Sequence, residues 1–144
     1  MKRNVILAHL FLISILLGIV SCKNDDDNAL NCNNELLISS FQYSNADGQM
    51  FEINDLGIEG DILTIQLSSG GCNGDSWQLC LIDSGAIMES FPPQRQLRFV
   101  LRNNENCLAY ITRSYSFNIS DLQTETNSVV LHFNGYNDSL LYEY

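Results

Sequence analysis

Four arginines within one short stretch are the side chains of this sequence best suited to recognising a ligand. They occupy positions 95, 98, 102 and 113. Arg98 and Arg102 have the same parity in an alternating segment, so we expect both to point outward from one strand, with Tyr110 across a hairpin. A guanidinium group binds carboxylate or sulfate oxygens in pairs. We therefore predict that Arg98, Arg102 and Tyr110 bind an acidic glycan or a partner protein; alternatively, the arginines neutralise neighbouring acids on a sheet surface.

Catalytic constellations are not recognisable in the sequence. His132 is the only histidine after the leader, and its place in the alternating run VVLHF predicts a surface position. A triad base needs a nucleophile and an orienting acid around it, and its sequence neighbours supply neither. Glu52, Asp55, Glu59 and Asp61 surround one turn and could in principle cleave a glycosidic bond, but solvated loop acids are the simpler interpretation. We therefore assign no catalytic residue and favour a binding role over enzyme activity.

The cysteines predict disulfides in preference to a metal site. Setting Cys22 aside leaves Cys32, Cys72, Cys80 and Cys107, an even number in a chain with an export leader. Cys72 and Cys80 lie too far apart along one predicted strand to bond to each other. Of the two remaining pairings we favour Cys72 with Cys107 and Cys32 with Cys80, since Cys72 and Cys107 both sit in turn-rich segments beside strands. Without a CxxC pair or clustered histidines, we expect no metal and no cofactor.

These side chains must be positioned by β-strands, because the apolar residues beyond position 36 recur with a period of two. Such alternation is typical of half-buried antiparallel strands. The series that share one parity are Leu37, Phe41 and Tyr43; Leu63, Ile65 and Leu67; Trp77, Leu79 and Leu81; Leu97, Phe99 and Leu101; Tyr115, Phe117 and Ile119; and Val129, Leu131 and Phe133. By the same parity Trp77 is predicted to lie in the core and not to serve as a platform for a sugar.

Turn-forming segments separate these strands, and their spacing predicts the fold class. Examples are Ala46-Asp47-Gly48, Pro92-Pro93 and residues 134–138. About seven to nine short strands favour an all-β antiparallel sandwich, most simply immunoglobulin-like, with a small β-barrel as the alternative. Helical periodicity is confined to the leader. The predicted organisation is a signal peptide that forms a signal helix (1–21), a lipidated acidic tether (22–35) and one β-sandwich domain (36–144).

The first 22 residues have the layout of a secretory leader. A basic start precedes an apolar run over residues 5–20, which is too short to favour a membrane span. The segment Ile19-Val20-Ser21-Cys22 resembles the lipobox of bacterial lipoproteins. This resemblance implies cleavage after Ser21, a diacylglyceryl thioether on Cys22 and acylation, as with palmitate, of the new amino terminus. Two or three acyl chains would anchor the protein firmly in a membrane.

The tether is acidic, and so is the whole chain. Its first residues, CKNDDDN, are interpreted either as a solvated linker or as an export tag, because they resemble the signal that carries Bacteroidota lipoproteins to the outer face of the outer membrane. The chain has 17 acidic and 7 basic residues, and cleavage of the leader would remove only basic ones. We therefore expect no nucleic-acid partner.

A second resemblance covers roughly residues 60 to 144. Gly70-Gly71-Cys72, Cys107 and the segment 115–122 resemble a pattern of small Bacteroidota lipoproteins of unassigned function, although this chain has Gly74-Asp75-Ser76 where many of them carry a histidine. Together these features predict an outer-membrane lipoprotein, with the cell surface as one possible location, that binds a glycan or an envelope protein. The alternatives are a structural subunit of an envelope complex and a small hydrolase.

Overall fold

The computed structural model of the protein describes Leu30, Cys32 and residues 34–144. The predicted signal peptide, the predicted lipidation site Cys22 and most of the tether lie outside the described residues. Within the described part of the chain, no helix is both long enough and apolar enough to cross a membrane.

The described chain consists mainly of strands, with one α-helix and one 3-10 turn (Ser120–Leu122). In chain order the elements are β1 (Leu36–Ile38), α1 (Ser40–Asn45), β2 (Glu52–Glu59), β3 (Ile62–Gly71), β4 (Gln78–Met88), β5 (Gln94–Arg102), β6 (Ala109–Asn118), β7 (Ser128–Phe133) and β8 (Ser139–Glu143). The long strands have the alternating burial that the apolar pattern predicts: in β3, Leu63, Ile65 and Leu67 are buried and their neighbours Thr64 and Gln66 are exposed.

The strands form two sheets that pack face to face, which confirms the predicted all-β sandwich. The larger sheet has the order β1-β4-β5-β7-β8, and the smaller has the order β2-β3-β6. Neither sheet of the described chain closes on itself, so the alternative of a small β-barrel is wrong.

The pairing is not wholly antiparallel, as it would be in the simple immunoglobulin-like arrangement that we expected. β1 runs parallel to β4, and β5 runs parallel to β7. Because β6 belongs to the other sheet, the chain leaves β5, crosses the sandwich and returns before β7 begins. Parallel neighbours need such long connections, and period-two alternation reports which strands are half-buried but not the direction of their partners.

The core lies between the inner faces of the two sheets. Phe99 of β5 stacks on Phe133 of β7 with ring centroids 5.5 Å apart, and the ring of Phe117, from the opposite sheet, lies 6.0 Å from Phe99. Trp77 is buried at the edge of this cluster, as its parity predicts. These rings and the aliphatic side chains around them supply the apolar burial that holds the sheets together.

A second, smaller core covers the outer face of the five-stranded sheet. Cys80, Ile82 and Val100 point to this face and are buried beneath Leu30, Cys32 and Ala46. The helix α1 is part of this cover. The alternation of residues 37, 41 and 43 predicts a strand that continues beyond Ile38, and this prediction is wrong.

A local hydrogen bond explains the start of α1. The Ser39 hydroxyl accepts a hydrogen bond from the Gln42 N–H at 3.2 Å, which caps the helix. The helix is only six residues long, so the sequence has no room to display helical periodicity.

Candidate functional site

The candidate site is a groove beside strand β5, which we call the β5 groove. Its lining consists of residues 49–53, Arg98, Phe99 and residues 134–138, and its volume is about 650 Å³. A volume of this size is typical of sites that hold a ligand. The groove therefore lies where the edge of β5, the beginning of β2 and the turn between β7 and β8 come together.

An interruption of the larger sheet creates this groove. β7 pairs with β5 only as far as Leu97, where the Asn134 N–H donates to the Leu97 carbonyl at 2.8 Å. The next partner on the same edge is Gln49, whose N–H donates to the Leu101 carbonyl at 2.8 Å. Phe99 lies midway between them, and no described residue pairs with its backbone on this edge.

Backbone groups of alternate residues in a strand point to the same edge, so the N–H and C=O of Phe99 point toward the groove, as the carbonyls of Leu97 and Leu101 do. The ring of Phe99 points out of the plane of the sheet, into the core. The floor of the groove therefore offers one backbone donor and one backbone acceptor.

Glycines shape both ends of the groove. At Gly48 an added Cβ would lie 2.8 Å from Val100 Cγ1 and 2.9 Å from the Leu101 carbonyl oxygen, so only glycine lets this segment reach β5. Gly135 has φ +85° in the turn after β7, a conformation that favours glycine. The two glycines therefore lie next to Gln49 and Asn134, the residues that bond to β5 on either side of Phe99.

Polar and apolar side chains share the walls and the rim. Met50 is 92% exposed, Phe51 and Tyr136 are half-buried, and Glu52 and Asp138 carry carboxylates. Such a mixture can bury the apolar part of a ligand and orient its polar groups.

Arg98 lies beside the groove, but its guanidinium serves the fold. Nη1 donates to the Tyr43 carbonyl at 2.7 Å and Nη2 donates to the Ala46 carbonyl at 3.0 Å. These carbonyls belong to the last turn of α1 and the residue after it, so Arg98 ties the helix to the sheet. Arg98 points to the outer face of the larger sheet, as predicted, but α1 covers that face at this position.

The structure does not bring together the three residues of the predicted ligand patch. Arg102 is exposed at the end of β5, but Tyr110 belongs to β6 and therefore to the other sheet. The Tyr110 hydroxyl donates to Glu52 Oε2 at 3.0 Å, and this hydrogen bond raises the pKa of the phenol. The hairpin that would place Tyr110 opposite Arg98 does not form, because the chain crosses to the smaller sheet after β5.

The other two arginines also have partners. Arg113 is bound to the Asn73 carbonyl and to Asp75 in the loop before β4. Arg95 is buried in an ion pair with Asp83, with Nη1 3.3 Å from Oδ1. Burial raises the pKa of Asp83, while the Gly85 N–H and the charge of Arg95 offset part of that rise. Neither guanidinium is placed to meet a ligand in the β5 groove.

Glu105 is the carboxylate with the most hydrogen bonds in the described chain, and no motif in the sequence marks it. Its Oε2 accepts from the N–H groups of Cys72, Asn73 and Gly74 at 2.6, 3.1 and 3.0 Å. Its Oε1 accepts from the Ser76 hydroxyl at 2.9 Å and from the Ser76 N–H at 3.3 Å. Glu105 thereby closes the loop before β4.

These hydrogen bonds change the acidity of Glu105. Partial desolvation raises its pKa, but the donors from Gly74, Cys72 and Ser76 outweigh that effect and lower the pKa to about 2. The same loop is bonded through Cys72 to Cys107, so a carboxylate and a disulfide hold it together.

Both predicted disulfides are present. Cys32 bonds to Cys80 with a Cα–Cα distance of 4.7 Å, and Cys72 bonds to Cys107 with a Cα–Cα distance of 4.8 Å. The first attaches the end of the tether to the outer face of the larger sheet. The second joins the loop before β4 to the segment before β6.

His132 is half-buried on β7, where its Nε2 lies 2.7 Å from the Gln94 side-chain oxygen. No described group of three or more histidine, cysteine, aspartate or glutamate side chains is arranged to hold a metal ion. The acids that the sequence grouped around one turn also separate: Asp61 accepts a hydrogen bond from the Tyr142 hydroxyl at 2.5 Å, whereas Glu52 binds Tyr110.

Comparison with known proteins gives one informative match. The chain matches no known sequence family and no curated protein. It is similar to the crystal structure of the protein of unknown function DUF1344 from Bacteroides vulgatus ATCC 8482, with 14% sequence identity and a TM-score of 0.53. The match covers 76% of this chain and 56% of that chain. At this identity the match shows a shared fold alone. Its source organism belongs to the Bacteroidota, the bacteria whose lipoproteins the sequence resembles.

Proposed function

We propose that the protein is a lipid-anchored interaction module of the outer membrane, and that it holds an extended segment of a partner protein in the β5 groove. The lipobox at Cys22 supports the anchor, and the acidic tether supports display at the cell surface. The observation that carries the binding role is the gap in the larger sheet, where Phe99 has a strand neighbour on one edge only.

An unpaired sheet edge recognises extended peptides, because their backbone groups complete its ladder of hydrogen bonds. The gap lies along one edge of β5, between its pairing with β7 and its bridge to Gln49, and it opens into a groove of about 650 Å³. The half-buried rings of Phe51 and Tyr136 and the exposed Met50 would contact side chains of the bound segment.

An acidic glycan, the ligand that the arginines predict, fits this groove less well than a peptide does. The charged groups of the lining that are not bonded to backbone carbonyls are the carboxylates of Glu52 and Asp138. They would repel an anionic sugar, since like charges at a binding surface oppose association.

The test uses a library of random peptides displayed on phage, panned against the full-length protein in detergent. Met50→Trp, which places a large ring at the mouth of the groove, is compared with Met88→Trp, at an exposed position outside the groove. We expect enriched peptides to bind the wild type and Met88→Trp alike, and to bind Met50→Trp at least about tenfold more weakly.

A glycan array probed with the same three proteins decides between the classes of ligand. Glycans that bind the wild type but not Met50→Trp, in the absence of such peptides, would replace the peptide proposal by a glycan-binding one. If neither peptides nor glycans distinguish Met50→Trp from Met88→Trp, the β5 groove is not a binding site.

A further inference from the structure

The gap beside β5 is short and closed at both ends. Leu97 is already bonded to Asn134 and Leu101 to Gln49, and four residues of a strand span only about 13 Å. A long added strand would collide with the residues that occupy these two positions. A bound peptide can therefore pair with β5 at one residue and must leave the groove on either side of it.

Phe99 determines the chemistry of that single pair. Its N–H can donate to the C=O, and its C=O can accept from the N–H, of one residue in an extended chain. This is the hydrogen-bonded pair of an antiparallel ladder. Flanking residues of the ligand would turn outward, toward the rim. Two exposed carboxylates belong to the lining there: Asp138, and Glu52, whose Oε2 also accepts a hydrogen bond from the Tyr110 hydroxyl.

The electrostatics of the protein favour a cation at that rim. The formal net charge of the chain is −10. The one arginine of the lining, Arg98, has its guanidinium bonded to the Tyr43 and Ala46 carbonyls. A positively charged segment would be attracted over a distance and oriented at contact, and salt would weaken its binding.

From these observations we infer that the β5 groove selects a short basic peptide segment, in which one extended residue pairs with the backbone of Phe99 and flanking lysine or arginine side chains meet Glu52 and Asp138. The inference rests on the proposed function, since it names the ligand class of the same groove.

The experiment compares two synthetic peptides with the full-length protein, acetyl-Gly-Lys-Val-Lys-Gly-amide and acetyl-Gly-Glu-Val-Glu-Gly-amide. We expect the lysine peptide to bind at least about tenfold more tightly at low salt. Asp138→Asn should weaken its binding about two- to fivefold, whereas Asp121→Asn, at an exposed site outside the groove, should leave binding unchanged.

Two further measurements test the backbone pair. N-methylation at one position at a time along the lysine peptide should abolish binding at a single central residue, because only that residue donates to the Phe99 carbonyl. Amide hydrogen exchange of Phe99 should slow at least about tenfold when the peptide is bound, while exchange of Gly57, on the other sheet, should not change.

The outcomes separate the two proposals. If the two peptides bind equally and Phe99 exchange is unaffected, while library peptides still require an open groove at Met50, the inference is overturned and the proposed function stands. Sensitivity to N-methylation at several alternate residues would also overturn it, because that pattern indicates a long added strand. If no peptide distinguishes Met50→Trp from Met88→Trp, both proposals fall.

Discussion

Single residues of this protein do structural work that their types alone do not reveal. Glu105 is a polar residue in a loop, yet its carboxylate gathers the N–H groups of residues 72–74 and Ser76. Backbone donors that converge in this way favour the ionised form of the acid. Glu105 thereby occupies the kind of backbone nest that elsewhere binds anions.

The low pKa of Glu105 predicts how stability depends on pH. Its folded-state pKa, about 2, lies below the ordinary value of 4.5, so the stabilisation is complete above pH 4.5 and is lost as the pH falls toward 2. We expect Glu105→Gln to unfold at a lower temperature than the wild type at pH 6. The difference should shrink as the pH falls from 4.5 to 2, measured by thermal melts at each pH.

The matched control for this prediction is Glu125→Gln, which alters an exposed glutamate remote from the loop. The raised pKa of Asp83 acts with the opposite sign, because a raised folded-state pKa makes an acid cost stability as the pH rises. The contribution of Asp83 to stability is the same in the wild type and in both variants, so it cancels in the comparison. A constant gap between Glu105→Gln and wild type across this range would show that the nest does not depend on charge.

At the scale of elements, α1 is attached to the larger sheet by the hydrogen bonds of Arg98 and by Tyr43, which packs against the second core. The helix is only six residues long, and Ala46, the residue that follows it, is buried in the same core. A short helix has little stability of its own and depends on such tertiary attachments.

Arg98 and Arg102 should therefore respond differently to truncation. Arg98→Ala removes two hydrogen bonds from a charged group to backbone carbonyls and should lower the free energy of unfolding by about 2 kcal/mol. Arg102→Ala changes an exposed residue and should alter it by no more than about 0.5 kcal/mol. Urea denaturation of both variants measures the difference, and equal effects would contradict the structural role of Arg98.

The whole molecule is an acidic sandwich that we expect to be held at a membrane by its amino terminus. The Cys32–Cys80 disulfide anchors the end of the tether on the five-stranded sheet. Acyl chains on Cys22 would bring this sheet within reach of the membrane, since the ten Cα–Cα steps from Cys22 to Cys32 span at most about 35 Å.

Lipidation is the prediction that belongs to this scale. Metabolic labelling with a clickable fatty acid should label the wild type, and Cys22→Ala should remain unlabelled and keep its leader. The control is the double variant Cys32→Ala/Cys80→Ala, which loses a disulfide but leaves residues 19–22 unchanged and should keep the label. A labelled Cys22→Ala variant would show that the acyl chains are attached elsewhere.

The all-β class and most of the core positions could be predicted from the amino-acid sequence, and one of the three possible cysteine pairings could be excluded from it. Alternation of apolar residues is a local property, so Leu63, Phe99 and Trp77 could be assigned to the core before any neighbour was known. Strand geometry excluded a bond between Cys72 and Cys80, and the turn-rich context of Cys72 and Cys107 favoured the pairing that is present.

Which strands are neighbours could not be read from the sequence, and the candidate site depends on that arrangement. The β5 groove exists because β7 stops pairing at Leu97 and Gln49 returns at Leu101, contacts between segments far apart in the chain. For the same reason the predicted patch of Arg98, Arg102 and Tyr110 was not assembled. Parity places a side chain on one face of its strand, but the order and direction of strands arise from packing across the whole sandwich.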